Sequence, residues 1–441
     1  MTQSVLSQLT FSFYSHQRIR TDFCGGQITS DAGLLPLRAF DERCSYTAKL
    51  ARCLEDERTP ERIEHSPLEL LRSRVYAIVA GYEDCNDVQR LRQDPVFQII
   101  ADRDWGQALG SQPTLSRWEN AITACELIRL NDFLLDSFVS FHGAEAQRRA
   151  EIILDLDSTD DPTHGHQQLS MFNGHYGQTM YHPVLLWERH SGALLAVRLR
   201  RGNCVSYNRV VPFLRRVLRR LRAMFPHVSI FLRADAGFAV PGLYELLEEY
   251  GVQYAIRFKS HEFLRKRAYR LEQRIHRRHQ RSGQEQRFFT SLRHQAKIWS
   301  KPRRLCVEIH CPDERLPVRF IITNLPWPSA QVCSFYNRRA ECENRMDELK
   351  NGFSADRLSC HRFLSNAWRL LLHAAAYNLV NAFRHGLPKA LRSMEIDSLR
   401  LHLFKLGARV RRTARWIWIH FSSNWPGQPA FLRAARAYSS T

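Results

Sequence analysis

From Glu151 the apolar pattern changes period, and that change limits what the chain can build. Glu151-Ile152-Ile153-Leu154-Asp155-Leu156-Asp157-Ser158-Thr159 is a short apolar run that alternates at its end and closes on a polar turn, which predicts a strand. Gln178 to Glu188 and Ala193 to Leu199 predict two more, joined at His190-Ser191-Gly192. Phe213, Leu214, Val217, Leu218 and Leu221 then fall on one helical face, with Arg215, Arg216, Arg219, Arg220 and Arg222 on the other. Val228 to Arg233 predicts a strand ending at Ala234-Asp235-Ala236-Gly237-Phe238. Val240 to Tyr250 predicts a helix stopped by Gly251, and Val252 to Phe258 a further strand.

Consecutive strands followed by alternating helices and strands predict an α/β core on the ribonuclease-H-like plan, and not a doubly wound nucleotide fold. Residues 146–258 hold the first part of that core. Residues 1–145 predict a mainly helical N-terminal region, with turns at Cys24-Gly25-Gly26 and Ser111-Gln112-Pro113; it is read as a module for binding DNA ends, or as purely structural. Residues 259–328 depart from the plan and are expected to be a basic, partly β insertion, with strands at Leu305 to His310 and Arg319 to Ile322 and a break at Pro326-Trp327-Pro328. The basic run from Arg265 to Arg281 is a solvated helix face or a DNA contact. Residues 329–390 supply a last catalytic helix and a packing helix, and 391–441 a basic C-terminal tail in which Trp416 to Phe421 can form a strand.

Charge narrows the partner. Among 441 residues, 64 Lys and Arg face 44 Asp and Glu, a net +20, on an otherwise ordinary globular composition of 44% hydrophobic and 24% charged residues. Such an excess calls for an extended polyanion, most commonly nucleic acid, although a membrane surface would ask for the same sign. Met1 to Leu6 shows no basic segment leading into an apolar one, so no signal peptide is expected. Leu364 to Phe383 is interrupted by Asn366, Arg369, His373, Asn378 and Asn381 and reads as a buried helix, not a membrane span. Eleven cysteines lie singly between Cys24 and Cys360, with no Cys-x2-Cys pair, as expected of reduced thiols in a cytoplasm.

One further stretch bears chemistry. Tyr336 to Lys350 has no Gly or Pro and stops at Asn351-Gly352, which predicts one helix. At about 100° per residue, Tyr336, Arg339, Glu343 and Lys350 fall within roughly 60° of one another. That face combines a carboxylate for a metal ion with cations for phosphate. Asp157 and Asp235, each at a predicted strand end, would supply the other two carboxylates. Three hard oxygen donors suit Mg²⁺, and two such ions about 3.5–4 Å apart can activate one oxygen and stabilise another in displacement at phosphorus. Asp155, two residues from Asp157, and Asp347, on the same helix face as Glu343, are the rivals.

Tyr336-x2-Arg339-x3-Glu343-x6-Lys350 matches the Tyr-Arg-Glu-Lys signature of a large group of bacterial insertion-sequence DDE transposases. Asp157-Ser158-Thr159 and Asp235-Ala236-Gly237-Phe238 resemble that group's first and second acidic motifs. Gly81 to Asp87 and Thr159 to Gly165 resemble one family within it. The resemblance runs from about Phe23 to Val410. It implies a cut-and-paste enzyme that binds terminal inverted repeats, cleaves a DNA strand with Mg²⁺ (or Mn²⁺ as its substitute), and joins the 3′-hydroxyl to target DNA. It implies Asp157, Asp235 and Glu343 as metal ligands, and Tyr336, Arg339 and Lys350 as DNA contacts. A homodimer pairing two ends is expected, located in the bacterial cytoplasm on DNA, with no membrane partner. Trp299 or Trp327 would be a stacking partner for a flipped base. The alternatives are a structure-specific nuclease without strand transfer and an inactive, transposase-derived DNA-binding regulator.

Overall fold

Apolar density on both faces of a strand demands cover on both sides, and the core from Ala124 to His385 answers that demand. The computed structural model describes residues 8–259, 262–311 and 318–438. Contacts divide the chain into two units, Glu119–Ala382 and a second made of Met1–Trp118 with Phe383–Thr441.

The first unit opens on helix α1 (Ala124–Arg149), whose start is fixed by a capping box: Glu126 N–H donates to Thr123 Oγ1 and Thr123 N–H to the Glu126 carboxylate. Strand β1 (Glu151–Ser158) follows, then β2 (Val184–Glu188), β3 (Leu194–Arg198), α2 (Val210–Met224), β4 (Ser229–Ala234), α3 (Pro241–Glu249) and β5 (Gln253–Phe258). The run from Gln178 to Glu188, expected to be one strand, is two. Gln178–Tyr181 belongs to a separate three-stranded sheet, and Pro183, which has no N–H to give, separates it from β2.

Next come α4 (Glu262–Ser282), β6 (Gln286–His294), β7 (Arg303–Cys311) and β8 (Val318–Thr323). These strands extend the main sheet: the order is β6-β7-β8-β5-β4-β1-β2-β3, with β8 antiparallel to β5. β1, β4 and β5 are parallel neighbours at the centre. On one face, Leu154, Leu232 and Ile256 pack with Leu214 and Leu218 of α2 and Leu243 and Leu247 of α3. On the other, Ile153, Phe231 and Ile321 meet Val332 and Cys333 of α5 (Ser329–Asn337).

The predicted helix from Tyr336 to Lys350 is broken. α5 stops at Asn337, α6 runs Ala340–Asp347, and a wide π turn covers Glu348–Gly352. A buried group sits at the first break. The Arg233 guanidinium donates at 2.9 Å to the Phe335 carbonyl, the acceptor an α-helical Arg339 N–H would use, and Arg339 N–H donates instead to Tyr336 O at 2.9 Å. Helix α7 (Phe363–His385) follows, and its polar residues are spent on the core. Asn378 exchanges two hydrogen bonds with the backbone of Leu194, and His373 Nδ1 lies 2.6 Å from Phe353 O. Among the described residues, no helix is long and apolar enough to cross a membrane.

The second unit is a cluster of helices around Pro67–Ala80, whose residues from Glu69 onward are buried. It also holds a three-stranded sheet in which β9 (Ala408–Arg412) lies between β10 (Ile417–Phe421) and Gln27–Thr29.

Candidate active site

Register decides which acids can meet. Ala234 of β4 pairs with Leu156 of the parallel strand β1, so Asp235 and Asp157 sit side by side as the two strands end. Crevices at the carboxyl ends of parallel strands are the usual sites of α/β sheets. Asp235 lies just past β4, where its Oδ1 accepts from Gly237 N–H at 3.0 Å and fixes a single tight turn. Gly237 is bare for a reason: a Cβ there would lie 2.7 Å from Ser206 Oγ and 2.8 Å from Ser206 Cβ. Ser158 Oγ in turn donates to Ser206 Oγ at 3.3 Å, tying the end of β1 to the loop before α2. Gly237→Ala is expected to destabilise the protein by about 1–3 kcal/mol and to displace Asp235, measured by thermal unfolding.

Asp157 is only 8% exposed. Its Oδ1 accepts from Ser158 N–H at 2.9 Å, and its Oδ2 is held by the Arg339 guanidinium. Burial pushes the carboxyl up to about 6; Arg339 pulls against that, and the Asp235 charge adds to it. Burial likewise disfavours the Arg339 charge, but Asp157 and Tyr336 outweigh it and hold the guanidinium protonated. Around neutral pH the two form an ion pair. Tyr336 is half-buried, and burial raises its phenol.

Glu343 is joined to this pair through Arg339, whose Nη2 lies 3.7 Å from Glu343 Oε1. Its side chain is 63% exposed. Two carboxylates thus lie together at the strand ends, with the third one guanidinium away. Among the described residues, no three His, Cys, Asp or Glu side chains are arranged to hold a metal ion. Asp157 and Asp235 nevertheless fit a divalent cation: they are hard oxygen donors whose mutual repulsion a cation would relieve.

The rival acids have other duties. Both Asp155 oxygens accept from Arg233 at 2.7 Å, in a pair with no solvent exposure on either side. Burial raises the Asp155 carboxyl while Arg233 opposes it. Asp347 is exposed. Lys350, displaced by the π turn, donates to Asp160 at 2.8 Å, and Gln178 donates to the same carboxylate at 2.8 Å. Although burial alone would raise Asp160, Lys350 and Gln178 hold it below the ordinary range. Sequence reasoning assigns neither Asp160 nor Arg233 to the site. For Arg233 a signal exists, a lone charge within the apolar run Ile230 to Ala234.

The two tryptophans expected to stack on a base are packing residues. Trp299 is 6% exposed, with Tyr244 and Phe258 edge-on at 5.7 Å each. Trp327 lies 5.6 Å from Phe231 and 5.4 Å from Phe335. A cleft of about 650 Å³ does open beside Asp235, lined by Ser158, Tyr176, His182, Ser206 and Tyr207.

Residues 11–440 match the family model described as transposase DDE domain group 1, and the chain belongs to that family. It is therefore a transposase by family. No curated protein matches. Among solved structures, the chain is similar to a piggyBac transposase in a synaptic complex with hairpin DNA, at 12% identity and TM-score 0.40, covering 85% of this chain and 80% of that one. It is also similar to Ciona intestinalis endonuclease V in complex with DNA, at 10% identity and TM-score 0.23, covering 48% of this chain and 88% of that one.

Proposed function

We propose that this protein is a cut-and-paste DNA transposase with a ribonuclease-H-like core, which binds the terminal repeats of its element, cleaves a strand and joins the 3′ end to target DNA. The observation that carries the proposal is the pairing of Asp157 and Asp235 at the ends of adjacent parallel strands, with Arg339 delivered to them by the broken helix. Asp157, Asp235 and Glu343 would hold Mg²⁺ or Mn²⁺, which supplies Lewis-acid stabilisation of charge at phosphorus. Glu343 must swing inward to join the aspartates, and its exposure leaves it free to do so.

The chain's own groups do the rest. Arg339 exchanges Asp157 for a phosphate oxygen, which places a fixed cation beside the charge that develops in the transition state. Lys350 leaves Asp160 for the next phosphate, and the Tyr336 hydroxyl, kept protonated, donates to the backbone near the cleaved end. The exposed arginines of α4 extend the basic surface along the duplex. Two copies would pair two ends, because each end needs its own set of acids.

A strand-transfer assay tests the proposal. Purified protein, Mg²⁺, a duplex bearing the terminal repeat and a supercoiled target should yield joined products. Cleavage without joining would make the protein a nuclease, and end binding with neither would make it a regulator. Lys350→Ala is expected to lower joining by about tenfold to a hundredfold and to reduce the salt dependence of end binding by about one phosphate, read by titration in rising salt.

A further inference from the structure

Resting on the reading of this chain as a DNA-acting protein, we infer that the C-terminal hairpin β9–β10 is a two-stranded ribbon that grips duplex DNA, a site apart from the acids. Residues 398–441 contain eight Lys and Arg and no Asp or Glu, and part of that charge is built into a defined shape. β9 and β10 pair antiparallel, with Arg409 opposite His420 and Arg411 opposite Trp418. Residues directly opposite in such a pair share a face. That face therefore carries Arg409, Arg411, Trp418 and His420, all exposed. The reverse face carries Ala408 and Val410, both buried, so the ribbon can present only one side.

The ribbon is anchored rather than loose. β9 also pairs with Gln27–Thr29, and the Phe421 ring packs on Phe431 at 4.9 Å. Its tip is tied by Thr413 N–H donating to Trp416 O at 2.8 Å and Trp416 N–H donating to Thr413 Oγ1 at 3.2 Å. Arg412 and Arg415 flank this tip, beside Trp416, which is 67% exposed. None of Arg409, Arg411, Arg412 and Arg415 has a carboxylate partner among the described residues, unlike most arginines of α2, which are paired with Asp132, Asp136 or Glu249 or bonded to backbone carbonyls. Unpaired guanidiniums in register on a rigid ribbon complement a polyanion, and the major groove admits a two-stranded ribbon of this width. Trp418 and His420, parallel at 5° and 6.0 Å apart, add an apolar edge for sugar and base.

The test uses the full chain and a fluorescein-labelled duplex of mixed sequence, with binding followed by anisotropy between about 50 and 200 mM salt. Replacing Arg409, Arg411, Arg412 and Arg415 by Ala should weaken duplex binding at least about tenfold. It should flatten the plot of log affinity against log salt by about 0.9 for each phosphate that is no longer neutralised. The corresponding Lys variant should stay close to wild type, and thermal unfolding should change little, since all four side chains are exposed. Unchanged affinity and slope in the Ala variant would overturn the assignment, as would weakening seen only with the single-stranded form of the probe. Wild-type protein that binds the duplex through this hairpin yet neither cuts nor joins DNA would leave the hairpin standing and remove the transposition chemistry. Wild-type protein that does not bind the duplex would overturn both.

Discussion

Asp157→Asn is expected to abolish strand cleavage, by on the order of 10³-fold or more, which corresponds to about 4 kcal/mol of barrier. The expectation follows from where the carboxyl sits. It is buried at the end of a central strand, faces Asp235 across the register, and has one guanidinium for company. Removing its charge takes from Arg339 its nearer carboxylate, leaving only Glu343 at 3.7 Å, and takes one of the two clustered oxygen donors from a cation. Asp235→Asn should match it, whereas Asp347→Asn should cleave at close to the wild-type rate. A pH profile sharpens the point. Because burial holds the Asp157 carboxyl at about 6, above the ordinary carboxylate range, the ionised form is lost as pH falls through 6. At Mg²⁺ concentrations too low to saturate the site, where a proton competes with the cation for this carboxylate, cleavage should therefore decline below about pH 6, well before ordinary carboxylates protonate. Activity that stays flat from pH 7 down to pH 5 at such low Mg²⁺ would contradict the buried Asp157 carboxyl as a cation ligand.

The second large effect concerns stability. Arg233→Met should cost about 3–5 kcal/mol, because it leaves the Asp155 carboxylate buried and unpaired. For a unit of this size that shifts the melting midpoint by roughly 10 °C. Stability should be restored in the double replacement Arg233→Met with Asp155→Leu, which removes both charges and lets the sites pack. The double variant should still be impaired in cleavage. Arg233 also donates to Phe335 O, and without that bond Arg339 N–H can return to an ordinary helical acceptor, which straightens α5 into α6 and turns the Arg339 side chain away from Asp157. A stable double variant with wild-type cleavage would show that the break in the helix does not position Arg339.

The parts of this arrangement that sequence conveys are those set by neighbours in the chain. β1, β4 and α2 follow from local apolar periodicity, and so does the placement of Asp157 and Asp235 at strand ends. The break at Arg338-Arg339 is invisible locally: nothing between Tyr336 and Lys350 disfavours a helix, and the perturbing guanidinium arrives from Arg233, about a hundred residues earlier. The same holds for Lys350, whose acceptor Asp160 is 190 residues distant. Trp299 and Trp327 enter as stacking partners only through the family resemblance, and their packing is decided by partners that periodicity does not name. β9 and its partner Gln27–Thr29 lie near opposite ends of the chain, so residues 391–441 read as a tail while contributing a strand to a sheet.

The central claim is that Asp157, Asp235 and Glu343 form one divalent-cation site on DNA. Mn²⁺ binding, titrated by electron paramagnetic resonance with the protein bound to its terminal-repeat duplex, tests it directly. Saturable binding is expected in the wild type, with affinity lowered by at least about tenfold in each of Asp157→Asn, Asp235→Asn and Glu343→Gln, in line with the removal of one ligand from a carboxylate site. Wild-type Mn²⁺ affinity in Glu343→Gln would remove Glu343 from the site. Wild-type affinity in either aspartate variant would contradict the account.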